Sequence, residues 1–359
     1  MELRSSMTIF DPEEKTRIVV FHNGALGDFL IAASAIEELT EISTAACVDF
    51  WSKQEHVDLL AAKAYTGKCH RPDCSLVACL LQDTLWRTAS LPDFLVKADQ
   101  VFIFGQAGSR IMAERLSKRL SANVFWIQSF PVSENWETHV SQFLRRQLND
   151  LGYPIRGKPI HLVPAPDDIR KAEELLNRLG VCSPPILVHP GSGGRRKVWP
   201  LRYWRHLIEW MRIELSFQVL LSVGPADECL HEFSRFMQDS GVPVVSDLSA
   251  ARLSGLLSLC RLYTGSDSGV SHLAAAVGIP VIAVFGPTDP RVWGPRGKNV
   301  VALRKTWEDS DVLEWTPNLG AARLRYADGP NIPAKRISFP DREIADLILA
   351  MVHDGTPRS

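Results

Sequence analysis

Short apolar runs alternate with helical periodicities along most of the chain. RIVVFH, Arg17–His22, reads as a buried strand. The turn HNGALGD follows, and then Phe29, Ala33, Ile36 and Leu39 recur at helical spacing. ACVDF, QVFIF and NVFWI read as further strands, with a helical stretch over 109–120 between the last two. This rhythm predicts βαβ units and a parallel sheet. Around residue 160 the texture changes: GYPIRGKPIHLVPAPDD is rich in Pro and Gly and reads as a linker. A helix follows, with Ile169, Ala172, Leu175, Leu176 and Leu179 on one face and Gly180 as its stop. The alternation then restarts, with PILVHP, FQVLLSVG, VPVVS, RLYTG and PVIAVFG as strands. A last helix carries Ile344, Leu347, Ile348 and Met351 on one side.

The expected architecture is α/β, with two Rossmann-like domains whose parallel sheets face a cleft. The division falls at 1–160 and 161–338. A C-terminal helix, 339–359, is expected to pack back on the first domain.

Length and composition fit this picture. The chain has 359 residues, long for a single core, with 45% hydrophobic and 23% charged residues. A net charge of −1 gives no reason to expect nucleic-acid binding. Seven cysteines without a regular framework suit reduced thiols in a cytosolic protein. Cys69, His70, Cys74 and Cys79 lack a second ligand pair at zinc spacing, so no metal site is expected. The polar, acidic N-terminus is unlike a signal peptide. The longest nearly apolar run, 273–285, is broken by Gly278 and Pro280 and is short of a membrane span. A cytoplasmic protein is expected.

Three strand-to-loop junctions in the second half carry the chemistry. In HPGSGGRRKVWP, Gly191, Ser192, Gly193 and Gly194 let backbone N–H groups approach an anion. Arg195, Arg196 and Lys197 add charge; an exposed basic loop is the plain alternative. In GSDSGVSHLAAAVG, Ser268 and Gly269 open a helix whose free N–H groups and dipole favour an anion. Asp267 beside them suits sugar hydroxyls or an N-cap, and the two can coexist. His272, in the first turn, reads as structural. In SVGPADE, Asp227 and Glu228 stand where an acid can hold ribose hydroxyls, or serve as ordinary helix N-terminal acids. Together these describe a diphosphate cradle without a metal. Asp309-Ser310-Asp311 has the Asp-x-Asp form but lies in a long polar loop and reads as surface.

The stretches GALGD, HPGSGGRRKVWP and GSDSGVSHLAAAVGIPVIAVFGPTDPRVWGP resemble glycosyltransferase family 9, the bacterial heptosyltransferases of the lipopolysaccharide inner core. The resemblance is densest over 185–295; from about 47 to 159 nothing is diagnostic. It implies a GT-B fold, an ADP-activated heptose donor, inversion at the anomeric carbon, and no metal or other cofactor. It assigns Lys197 to the donor diphosphate, with Gly191 and Ser192 in the turn beside it. Asp267 goes to the donor sugar, Ser268 and Gly269 to the phosphate loop, Asp227 to the ribose, and Leu248 and Ser249 to the adenine. Asp28 becomes the catalytic base, in an acceptor-side turn that holds Gly24 and Gly27. The acceptor implied is a lipopolysaccharide-core or related glycan, free or lipid-linked, with peripheral contact at the cytoplasmic face of the inner membrane. AASAI after Asp28 lacks a proline, and 304–336 lacks the cysteines many relatives carry. Both departures bear on the acceptor.

Inverting transfer needs a base for the acceptor hydroxyl and a stabilised leaving diphosphate. The second half offers the stabiliser. For Asp28 two readings stand: a base, or an acid that only caps its helix. Two other functions would use the same donor pocket: a sugar-nucleotide epimerase or hydrolase, and a non-catalytic sugar-nucleotide-binding protein of envelope assembly. Product analysis with donor alone separates the first from a transferase.

Overall fold

The computed structural model describes residues 16–42, 47–72, 74–132, 137–225, 227–307 and 342–354. Among them are two all-parallel sheets. The first runs β3-β2-β1-β4-β5, with β1 Arg17–His22, β2 Cys47–Ser52, β3 Thr66–His70, β4 Gln100–Gly105 and β5 Asn123–Gln128. The second runs β11-β10-β9-β6-β7-β8. Its strands are β6 Ile186–His189, β7 Val219–Val223, β8 Val244–Ser246, β9 Leu262–Ser266, β10 Val281–Phe285 and β11 Val300–Arg304. The central strands are apolar on both faces, as a parallel sheet covered on both sides requires. In β1, Ile18, Val19, Val20 and Phe21 are all buried. β3 and β11 do not appear in the sequence reading. Both are edge strands, and β3, TGKCH, is only half-buried, so no apolar run marks it.

The chain divides into two compact units. The first takes Met1–Gly24, Ala32–Val132 and Ser141–Lys158; the second takes Ala25–Ile31, Ser133–Val140 and Pro159–Ser359. The turn of helix bearing Asp28 is therefore grouped with the second unit, although its helix, Leu26–Ile42, continues into the first.

In the first unit Phe21 meets Trp51 edge-on at 4.8 Å, in a core with Leu95, Val101, Ile103 and Leu116. Glu38, 4% exposed, ends the unit in an ordered way. Its carboxylate accepts the N–H groups of Arg156 (2.6 Å), Gly157 (2.7 Å) and Lys158 (2.7 Å). Gly157 has φ +78°, which curls the backbone so that consecutive N–H groups converge on one acceptor.

In the second unit the helix Leu201–Ile213 buries Leu201, Trp204, Leu207, Ile208 and Met211 on the sheet. The C-terminal helix corrects an expectation. Ile344, Ile348 and Val352 of Arg342–Asp354 join this second core rather than the first domain. The apolar stripe was legible; the surface it covers was not. Helix Pro166–Arg178 ends at Gly180, with φ +70°, as its sequence predicts.

Candidate active site

In the second sheet strand order reverses between β6 and β9. β7 and β8 lie on one side of β6; β9, β10 and β11 lie on the other. Beyond the carboxyl ends of such a pair the loops diverge, leaving the place where open α/β sheets bind ligands. The two loops there are 190–200 and 267–269. They are stitched together: Ser192 Oγ donates to the Asp267 carbonyl at 2.6 Å, and Ser266 Oγ donates to the Pro190 carbonyl at 2.6 Å.

A 3-10 turn, Arg195–Lys197, follows the glycines, with Lys197 N–H bonded to the Gly194 carbonyl at 2.9 Å. It leaves Arg195 and Arg196 exposed and sends Lys197 inward. The Lys197 ammonium lies 3.0 Å from Asp267 Oδ2. Thr288 Oγ1, on the loop after β10, donates to the same oxygen at 2.5 Å. Asp267 is only 5% exposed, so its charge is held by a cation and a hydroxyl rather than by water. Asp267 is not the N-cap; Ser268 is, and Gly269 opens the helix Gly269–Val277. The Ser268 and Tyr263 hydroxyls are buried close to one another there. Gly265 makes room for the phenol: a Cβ there would collide with Tyr263 Oη.

Asp28 sits at the third position of helix Leu26–Ile42, after Ala25. Its carboxylate accepts the Ala25 N–H, the backward bond of a capping box. Burial, the largest influence, pushes its pKa above the usual aspartate range, against the Ala25 bond and the nearby Lys197 charge. Capping and proton affinity thus coexist in one side chain. Gly27 and Gly269 allow close approach here. A Cβ on Gly269 would stand 2.9 Å from Leu26 Cβ, and one on Gly27 would stand 3.3 Å from His272 Cδ2. Gly27 therefore packs against the helix that opens at Gly269, whereas Gly24 belongs to the first unit.

His272, read as structural, lies among these groups. Burial lowers its pKa to about 4 despite Asp267 nearby; His139 and Lys197 push the same way as burial. It is a neutral imidazole at neutral pH. Thr288 and His272 were both inside the quoted motifs. Nothing in their spacing showed that Thr288 meets Asp267 or that His272 lies within reach of its charge.

Asp227, expected at the ribose, is 3% exposed. Its Oδ2 accepts the Gly224 N–H at 2.7 Å and lies 3.8 Å from His189 Nε2. Its carboxylate fills the space a Cβ on Gly191 would need. Asp227 thus shapes the glycine loop from beneath. Ser249 is also occupied: it caps the helix Ala250–Ser258, accepting the Arg252 N–H at 3.3 Å. Leu248 beside it is half-buried. Asp309 and Asp311 lie outside the described residues. Among the described residues no three His, Cys, Asp or Glu side chains converge as a metal-binding group.

Comparison with known proteins follows the same lines. The profile of glycosyltransferase family 9 (heptosyltransferase) matches residues 110–319. Lipopolysaccharide heptosyltransferase 1 of Pseudomonas aeruginosa is 30% identical over 196 residues, 54% of this chain and 52% of that protein. The chain spans about half the length of the curated relatives it matches, or less. The glycosyl transferase family 9 structure from Veillonella parvula superposes with a TM-score of 0.68 at 16% identity, covering 97% of this chain and 99% of that one. The Escherichia coli ADP-heptose lps heptosyltransferase II does so at 0.66 and 14% identity, covering 94% and 99%. These likenesses place the two parallel sheets in the GT-B fold class. With its profile matched over more than half of its length, the chain belongs to glycosyltransferase family 9.

Proposed function

We propose that this protein is an inverting glycosyltransferase that moves heptose from ADP-heptose to a lipopolysaccharide-core or related glycan acceptor without a divalent metal. The observation that carries the reading is the group at the switch point of the second sheet. Lys197 and the N-terminus of helix Gly269–Val277 meet there, and Asp28 feels the Lys197 charge.

In this reading the leaving diphosphate lies over the glycine loop and the helix N-terminus. Their N–H groups and Lys197 take up the charge that grows as the glycosidic bond breaks. Lys197 is paired with Asp267 at 3.0 Å, so phosphate competes with a carboxylate for it. A sugar hydroxyl donating to Asp267 would reduce that competition. Asp28 removes the acceptor proton. Its raised pKa makes it a stronger base than an ordinary aspartate, and a base is more effective as its pKa nears the working pH. Gly191, Ser192, Ser268 and Gly269 shape the donor loop, and Leu248 and Ser249 mark the edge proposed for the base. The protein acts at the cytoplasmic face of the inner membrane.

The test is turnover of ADP-heptose with and without heptose-accepting core glycans, with the product's anomeric configuration read by NMR. Transfer with inversion, unchanged by EDTA, is expected. Hydrolysis or epimerisation of donor alone would replace the transferase reading. Loss of transfer with EDTA and its return with magnesium would overturn the metal-free mechanism.

A further inference from the structure

The chain's net charge is −1, yet one face of the first unit gathers cations around exposed apolar side chains. It is built from the end of helix Cys74–Leu81, the turn Leu85–Arg87 and the helix Ala107–Leu116 with its extension to Arg119. Leu81 is 41% exposed, Leu85 50% and Ile111 42%. Trp86 lies half-buried among them. Around its ring stand the Arg87 guanidinium at 5.1 Å, the Arg115 guanidinium at 5.8 Å and the Lys118 ammonium at 5.7 Å.

The face is continuous. Arg115 donates to the Leu80 and Gln82 carbonyls, both at 2.8 Å, which ties the long helix to the end of the earlier one. Arg119 donates to the Trp86 carbonyl at 2.8 Å and the Ala89 carbonyl at 2.7 Å, and so fixes the turn that carries Leu85 and Trp86. The local acids are already engaged. Asp83 meets Arg115 at 2.8 Å, and Glu114 meets Arg110 at 3.0 Å. Arg87 and Lys118, both exposed, meet no carboxylate among the described residues.

We infer that this face is the membrane-docking surface of the protein, resting on a leaflet that bears anionic headgroups. Cations level with phosphates gain from the negative surface potential. Aliphatic tips and an indole beside them enter the headgroup–acyl boundary, where an amphipathic ring is favoured. Long Arg and Lys stems cover apolar surface while their heads stay wet. A polyanion without an apolar layer would leave Leu81, Leu85 and Ile111 in water. The inference deepens the membrane contact in the proposed function. It is read by binding alone, so its failure leaves the transferase reading standing, and the converse holds.

The experiment is co-sedimentation of the full chain with vesicles of phosphatidylcholine alone and of phosphatidylcholine with an equal part of phosphatidylglycerol. The expected result is binding to the second and not the first, weakened by added salt. Leu85→Asp, at an exposed site, and the pair Arg87→Gln with Lys118→Gln should each lower partitioning by about tenfold or more. Lys298→Gln, an exposed cation of the second unit, should leave it unchanged. Circular dichroism confirms that each variant is folded. Wild-type protein that stays in the supernatant with anionic vesicles overturns the inference and turns attention to an acidic protein partner. So do folded Leu85→Asp and double variants that sediment like wild type.

Discussion

Asp28 accepts the Ala25 N–H, and in the proposed function it is also the base; substitution separates the two. Asn at the same position keeps an oxygen that can accept the Ala25 N–H but cannot take a proton. Asp28→Asn should keep its fold and its donor affinity while turnover falls by roughly 10²–10⁴-fold, the usual contribution of a positioned base. In wild type the acidic limb of kcat/KM should lie above the ordinary aspartate pKa of 3.8, because burial raises it. That limb should vanish in the variant; near wild-type turnover would leave Asp28 only the cap. Lys197 makes a different prediction. Losing its charge-assisted bond to phosphate should cost about 1.5–3 kcal/mol, or roughly 10–150-fold in donor Kd by calorimetry. Turnover should fall with it. Donor affinity unchanged in folded Lys197→Ala would remove it from the site. The motifs around both residues were legible as glycines, acids and a lysine at strand ends. The inward turn of Asp227 was not, because a side chain's direction at a strand end depends on which neighbouring loop leaves space for it. Here Gly191 leaves that space.

Among the elements, the segment after the first unit depends on one carboxylate. Glu38 accepts three successive backbone N–H groups, with 4% of its own surface exposed. Glu38→Ala removes the shared acceptor of three donors, of which Arg156 and Lys158 are exposed, so water takes up part of the loss. Its expected cost is about 1–3 kcal/mol in urea denaturation. Glu38→Gln keeps one acceptor oxygen and should cost clearly less. Equal, small effects of both would show that the segment finds other partners. Helices and central strands were readable here, since burial on one or both faces imposes a period on the sequence. The edge strands β3 and β11 escaped. β3, TGKCH, has a half-exposed edge and carries no apolar run; β11, VVALR, is apolar at four of its five positions, so its edge position does not explain the miss.

For the whole molecule, buried imidazoles set the acid limit. Burial holds His22 at about 3 and His272 at about 4, and lowers His189 as well. The unfolded chain protonates these groups near 6.5, so between about pH 6.5 and 4 the unfolded state binds more protons. Stability should fall with pH in that window, by up to about 1.4 kcal/mol per group per pH unit. Asp28 works the other way: its raised pKa lets the folded state bind more protons above 3.8, which tempers the loss. Melting temperatures across this range check the sign; a flat profile would mean that water reaches the imidazoles. By itself the sequence determined the α/β rhythm, the linker near residue 160, the glycine-rich loops and the family resemblance. Each of these is a local pattern, fixed by periodicity, by turn chemistry or by the spacing of residues within one loop. The tertiary structure decided what brings distant segments together. It set the strand order that places 190–200 beside 267–269, the grip of Lys197 and Thr288 on Asp267, and the seat of His272. It also put the C-terminal helix on the second core. An apolar stripe states that a surface must be covered; the covering surface is chosen among several apolar faces by packing and chain connectivity, which no single segment encodes.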